Sequence, residues 1–171
     1  MNNSLIVITG FMGAGKSTVA RALARRLDTQ MVDLDIEILK QEKRSAKQII
    51  EEDGEPSFRE IETRVLREVL PNKVVGVIAL GGGAWTISGN RDLITSAGGI
   101  SVWLDAPFDL CWQRIVATGD DRPLAPNEQE GLRRYTERRA AYASADVHVE
   151  ATGNKTVDEM ALEIAEALAE S

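Results

Sequence analysis

The chain carries one cysteine, Cys111, and one histidine, His148, in 171 residues. A lone thiol cannot close an internal disulfide, and neither residue can seed a cysteine- or histidine-rich metal site. Basic residues are also in deficit: 20 Lys and Arg stand against 27 Asp and Glu, a net charge of −7 with histidine neutral. Such a chain is ill suited to binding nucleic acid or an anionic membrane non-specifically, although a local basic patch can still hold an anion. No apolar run approaches the roughly 18 residues of a membrane-spanning helix. The opening MNNSLIVITG has neither the basic start nor the cleavage site of a signal peptide. What is present is ordinary: 43% hydrophobic and 27% charged residues, which argues against wholesale disorder. The expectation is one soluble, cytoplasmic domain over residues 1–171, large enough to bury a substantial core. With no apolar heptad or long edge strand in evidence, a monomer is expected.

No repeat, low-complexity tract or long linker interrupts the chain, and short apolar runs alternate with amphipathic stretches. Leu5-Ile6-Val7-Ile8 is continuously apolar and β-branched, as in a strand buried on both faces. A glycine-rich turn follows, then a helix over about 16–27 with Val19, Ala20, Leu23, Ala24 and Leu27 on one face. A short strand is predicted at 30–33. Capping boxes at Ser45–Gln48 and Ser57–Glu60 predict two helices, the first ending near Gly54 and the second stopped by Pro71. A buried strand over 74–80 runs into Gly81-Gly82-Gly83. A helix near 90–97, a strand at 100–104 and a helix opened by Pro107 come next. A polar loop at 120–130, a helix to Tyr142, a strand at 147–149 and a helix capped by Thr156 complete the chain. This alternation predicts an α/β three-layer sandwich, a parallel sheet with helices on both faces. Ligands of such sheets bind beyond the strands' carboxyl ends, where both glycine-rich turns and the Asp33/Asp35 pair fall.

Gly10-Phe11-Met12-Gly13-Ala14-Gly15-Lys16-Ser17 fits G-x-x-x-x-G-K-[ST], with Thr18 next. It lies between a predicted strand and a predicted helix, the context that the motif requires. Glycines let the backbone curl until successive N–H groups converge on phosphate oxygens, and the helix N-terminus adds partial positive charge. Nucleotide contacts are expected at Gly13, Ala14, Gly15, Lys16, Ser17 and Thr18. Lys16 would reach the β- and γ-phosphates of ATP, and Ser17 would ligate Mg²⁺. A glycine-rich turn that happens to precede a helix is the plainer alternative, and the strand-to-helix context argues against it.

Six stretches taken together resemble the shikimate kinase family of P-loop kinases: GFMGAGKST (10–18), DLD (33–35), DGEPSFREIE (53–62), LGGGA (80–84), DRPL (121–124) and RRAAY (138–142). The resemblance implies a five-stranded parallel sheet in the order 2-3-1-4-5. It implies transfer of the ATP γ-phosphate to the 3-hydroxyl of shikimate, with an acceptor-binding segment at about 33–62 and a mobile lid at about 118–130. By the same resemblance Asp33 lies near Mg²⁺, and Asp35 binds the acceptor hydroxyl and takes its proton. If the chain is extended there, their side chains point the same way; a pair of solvated acids or a helix cap is the alternative. Arg59 would bind the acceptor carboxylate, unless it merely pairs with Glu55 or Glu62. Gly82, with Gly81 and Gly83, would bring backbone close to the acceptor. Arg139, three residues before Tyr142, would be the second carboxylate-binding arginine, with Arg138 the alternative register. Arg122 would neutralise phosphate charge as the loop closes.

The chain departs from the family pattern at Ile50, where an aromatic is common, and at Trp85, where smaller residues are; both could reshape the pocket rim. The usual adenine-side arginine has no clear match at Gly153-Asn154-Lys155, and Arg114 is a candidate in its place. His148 and Cys111 read as structural. The competing functions are a kinase for another small hydroxylated acid, such as gluconate, and a silent nucleotide-binding module. Retention of Lys16, Ser17, Asp33, Asp35 and Arg122 argues against the silent module.

Overall fold

Four residues, Ile6–Thr9, form β1, and all four are buried. Their uninterrupted apolar run needs cover on both sides, and the centre of a parallel sheet supplies it. In the computed structural model, which describes residues 4–119 and 122–170, β1 lies between β3 (Val75–Ala79) and β4 (Ile100–Asp105). β2 (Gln30–Asp33) and β5 (Val147–Glu150) flank them, giving the expected parallel order 2-3-1-4-5. Helices α1 (Lys16–Arg26) and α8 (Val157–Ala169) pack on each other, and α5 (Ser88–Ser96) packs on β4. Among the described residues, no helix is long and apolar enough to cross a membrane.

One helix escapes the sequence pattern. α2 (Leu34–Glu42) follows β2 directly, with Asp33 as its N-cap: the carboxylate accepts from the Asp35 and Ile36 amides at 3.0 and 3.3 Å. Leu34 and Ile38 face the core while Ile36 and Leu39 are exposed, so no clean apolar stripe marks α2. Asp33 and Asp35 are therefore not a pair on one extended strand.

α3 (Ala46–Asp53) has the predicted capping box between Ser45 and Gln48. α4 (Glu55–Val69) starts three residues ahead of expectation, with Gly54 as its N-cap, and Ser57 lies inside it rather than capping it. Gly54 makes the start possible: its φ of +89° ends α3 and opens α4 in one residue, and Pro56 suits the first turn. A 3₁₀ turn, Ala84–Thr86, follows the triple glycine. α6 (Phe108–Thr118) and α7 (Glu128–Tyr142) complete the set, the latter capped by the Asn127 side chain. Asp120 and Asp121, part of the predicted polar loop, lie outside the described residues.

Cys111 is fully buried, and burial pushes its thiol up to about 11, so it packs rather than reacts. His148 is exposed on β5, where it stacks on Trp103 and faces Asp105 at 3.0 Å.

Candidate active site

The P-loop owes its shape to glycines that no other residue could replace. Gly13 has a φ of +79°, and a Cβ there would sit 2.7 Å from the Cys111 carbonyl oxygen. Gly15, at +94°, is the N-cap of α1 and offers no side chain to the first-turn amides. Those amides, which have no intrahelical acceptor, are left as donors toward the loop. Lys16 arches over the loop and donates to the Phe11 carbonyl at 2.8 Å. Its burial, reinforced by Arg138 and Arg122 and opposed by Asp35, pulls the ammonium down to about 8. Arg114 reaches the loop from α6 and donates to the Gly13 carbonyl at 3.0 Å. Ala14 is buried beneath the loop, and Thr18 is exposed.

Beside the loop, the Ser17 hydroxyl donates to the Asp33 carboxylate. A hydroxyl and a carboxylate in contact are hard oxygen donors of the kind Mg²⁺ takes alongside substrate phosphates. Among the described residues, no cluster of three or more His, Cys, Asp or Glu could form a metal cage from protein alone. Ser17 and Asp33 thus fit an ion that fills its remaining positions with phosphate and water.

A cavity of about 550 Å³ opens next to this corner, lined in part by Asp35, Arg59, Glu62, Arg122 and Arg138. Asp35 belongs to the first turn of α2. Its burial and the neighbouring Asp33 push its carboxyl above the usual range, while Lys16, Arg122 and Arg59 pull it back. Arg59, from the second turn of α4, donates to Glu62 at 2.7 Å and to Glu55 at 3.3 Å. Burial works against that guanidinium, but Glu62 and Glu55 hold it firmly charged. Arg59 pairs with Glu62 and Glu55, as the plainer reading has it, and it also lines the cavity.

The second arginine is a correction. Arg139 does not line the cavity: its side chain is 40% exposed, pairs with Asp105 at 2.7 Å and stacks on Trp103. Arg138 lines the cavity instead and is only 7% exposed. Neighbours on a helix point about 100° apart, so one residue of register separates a cavity residue from a surface one. The signal was available: Gly131, Arg138 and Tyr142 are the buried positions of α7, and Tyr142 lies one turn after Arg138. Burial pulls the Arg138 guanidinium below its usual range, and Tyr142 partly offsets this.

Glu62 was not singled out as a functional residue. It is completely buried, and its Oε2 has no hydrogen-bond partner among the described residues. Burial pushes its carboxyl up, against the pull of Arg59. The i, i+3 spacing from Arg59 was a readable cue. Of the two departures from the family pattern, Ile50 lines the cavity, whereas Trp85 is buried behind the glycine turn and is 3% exposed.

The triple glycine threads between these charges. A Cβ on Gly81 would lie 2.9 Å from Glu62 Oε2 and 3.0 Å from Asp35 Oδ1. On Gly82 it would lie 3.3 Å from Arg138 Nη1, and on Gly83 only 2.2 Å from Arg59 Nη2. Gly83→Ala should therefore displace the flexible tip of Arg59 without straining the backbone. The expected result is a loss of stability of about 1–3 kcal/mol, because the shifted guanidinium loosens its bond to the buried Glu62 carboxylate. The KM for a carboxylate-bearing substrate should rise about tenfold or more, since the Arg59 guanidinium leaves its place in the cavity lining. Steady-state kinetics with a parallel thermal melt checks both; an unchanged KM contradicts the geometry.

Comparison with known proteins follows the same lines. The family model for shikimate kinase matches residues 12–169. A shikimate kinase of Cereibacter sphaeroides is 44% identical over 167 residues, covering 96% of this chain and 82% of the relative. One from Geobacter sulfurreducens is 42% identical over 165 residues, covering 94% and 88%. The solved structure of shikimate kinase from Acinetobacter baumannii in complex with shikimate superposes with a TM-score of 0.89 at 34% identity, covering 98% of this chain and 93% of that one. The family model over residues 12–169 and relatives up to 44% identical over nearly the whole chain show that the protein, with its phosphate loop beside a cavity lined by Asp35, Glu62 and three arginines, belongs to the shikimate kinase family.

Proposed function

We propose that this chain transfers the γ-phosphate of ATP to the 3-hydroxyl of shikimate, giving shikimate 3-phosphate and ADP on the route to chorismate and the aromatic amino acids. The observation that carries the proposal is the cavity itself, where Asp35 shares the lining with Arg59 and Arg138 and lies within electrostatic reach of Lys16. Shikimate offers a carboxylate for the guanidiniums and a ring hydroxyl for Asp35. Two cationic planes suit a carboxylate better than a neutral polyol, which favours a cyclic acid over an uncharged sugar.

Catalysis in this proposal is mostly positioning and electrostatics, since a phosphoryl group in flight needs stabilised charge more than covalent help. The P-loop amides and Lys16 hold the phosphates. Arg122, in the cavity wall, neutralises charge that develops on the transferred group. Asp35 accepts a hydrogen bond from the acceptor hydroxyl and takes its proton, a task suited to a carboxyl whose basicity has been raised. Gly81, Gly82 and Gly83 bring backbone against the acceptor ring. Ser17 and Asp33 would hold Mg²⁺, which, when bound, supplies positive charge to the phosphate oxygens. Residues 118–130 act as the lid and 33–62 as the acceptor segment of a single domain, and closure excludes water that would hydrolyse ATP. The enzyme works as a cytoplasmic monomer.

A coupled ADP-release assay with shikimate, quinate, gluconate and no acceptor tests the proposal. Turnover should be confined to shikimate or be far fastest with it. Equal ADP release without acceptor, or preference for gluconate, would overturn the assignment; no turnover with any of them would favour a silent module.

A further inference from the structure

Arg59 and Arg138 share a cavity but stand on different helices, α4 and α7. Two like charges facing one space repel, and Arg59 indeed disfavours the charged form of Arg138. Something must hold the helices at a fixed spacing, because bidentate recognition fails when donors drift by about 1 Å.

A chain of hydrogen bonds runs between the two helices behind the cavity. Thr63, one turn after Arg59 on α4, donates its hydroxyl to Asn90 Oδ1 at 2.8 Å. Asn90, fully buried on α5, donates its amide to the Ala84 carbonyl at 2.9 Å, in the 3₁₀ turn. The next residue, Trp85, donates its indole N–H to the Ala141 carbonyl at 2.9 Å, on α7 three residues after Arg138. Tyr142 adds a hydroxyl bond to the Gly82 carbonyl. The turn after the triple glycine is thus tied to the Arg59 helix on one side and to the Arg138 helix on the other. Thr63, Asn90 and Trp85 do not line the cavity.

We infer that Thr63, Asn90 and Trp85 are positioning residues, a strut that sets the separation of the Arg59 and Arg138 guanidiniums and so tunes the site to a single carboxylate. The inference rests on the reading that both arginines grip the carboxylate of shikimate. The strut also braces the turn that follows Gly83, but its ends are the two arginine helices, so its loss should weaken recognition of the acid group more than the ring contacts that acid and ester share, and leave ATP binding in place.

The test compares wild type with Trp85→Phe, Asn90→Leu and Thr63→Val, using shikimate and shikimate methyl ester as acceptors. Thr63→Val and Asn90→Leu remove a polar link and keep a body of similar shape, while Trp85→Phe removes the indole N–H together with the volume of the five-membered ring. The KM for shikimate should rise about fivefold to twentyfold, the scale of one misaligned charged contact, while the KM for ATP stays within about twofold. Values of kcat/KM for the ester should change within about twofold, so the preference for acid over ester shrinks. Equal losses on acid and ester, a matching rise in the KM for ATP, or an unchanged shikimate KM would overturn the strut. If the buried Asn90→Leu variant fails to fold by circular dichroism, Thr63→Val, at the half-buried end, decides the question. A wild type that ignores shikimate would sink the functional reading itself; a wild type that prefers the acid with variants that match it would sink the strut alone.

Discussion

Replacing Lys16 with methionine should slow transfer by at least about a thousandfold, because a buried cation aimed at the phosphates stabilises charge that builds only as the phosphoryl group moves. The same change should stabilise the fold at neutral pH. Burial pulls the ammonium down to about 8 from 10.5, so between these values the unfolded chain holds more protons than the folded one. Stability therefore rises with pH across that window, and below it the charged lysine costs stability. Methionine fills the space without the charge. The Tm of Lys16→Met should exceed that of wild type at pH 7, and the gap should close as the pH is raised from about 8 to 10.5. Near-normal kcat would remove the loop lysine from the mechanism. A lower Tm at pH 7 would mean that its bond to the Phe11 carbonyl outweighs the burial of charge.

Arg138→Ala should raise the KM for shikimate about a hundredfold with a modest effect on the KM for ATP. Truncating one member of a desolvated charge pair costs roughly 2–5 kcal/mol, most of it from the partner left without its mate. Arg139→Ala is the control one residue away. Its guanidinium is substantially exposed and engaged with Asp105 and Trp103, so its loss should cost no more than about 1 kcal/mol of stability and leave the shikimate KM within about threefold. Should the two variants exchange these behaviours, the register of α7 would be wrong by one residue.

That pair of arginines also marks where the sequence was legible. The P-loop and the capping boxes at Ser45 and Thr156 are readable because each is set by local chemistry, turns that only glycine can make or reciprocal bonds within four residues, whereas the sheet order follows only from the family resemblance. Asp33 and Asp35 stand out through the family motif, and of the two local geometries open to them the helix cap holds for Asp33 rather than the extended strand. A strand residue capping the next helix leaves no alternation to detect, and α2 shows no clear apolar face. The Ser57 box failed because Gly54 and Pro56 start α4 earlier, so the serine that matches the pattern lies within the helix. The strut through Asn90 is invisible for a different reason. It depends on partners far apart in sequence, Asn90 and Thr63, and no local spacing reports such a bond.

The central claim is that one carboxylate bridges Arg59 and Arg138 while a hydroxyl of the same molecule meets Asp35 beside the phosphate loop. A crystal structure with shikimate and a non-hydrolysable ATP analogue tests it most directly. The account predicts the acid group between those two guanidiniums and the 3-hydroxyl within hydrogen-bond reach of Asp35, facing the γ-phosphate. A shikimate bound with its carboxylate on Arg139, or with its ring outside the cavity, would contradict it.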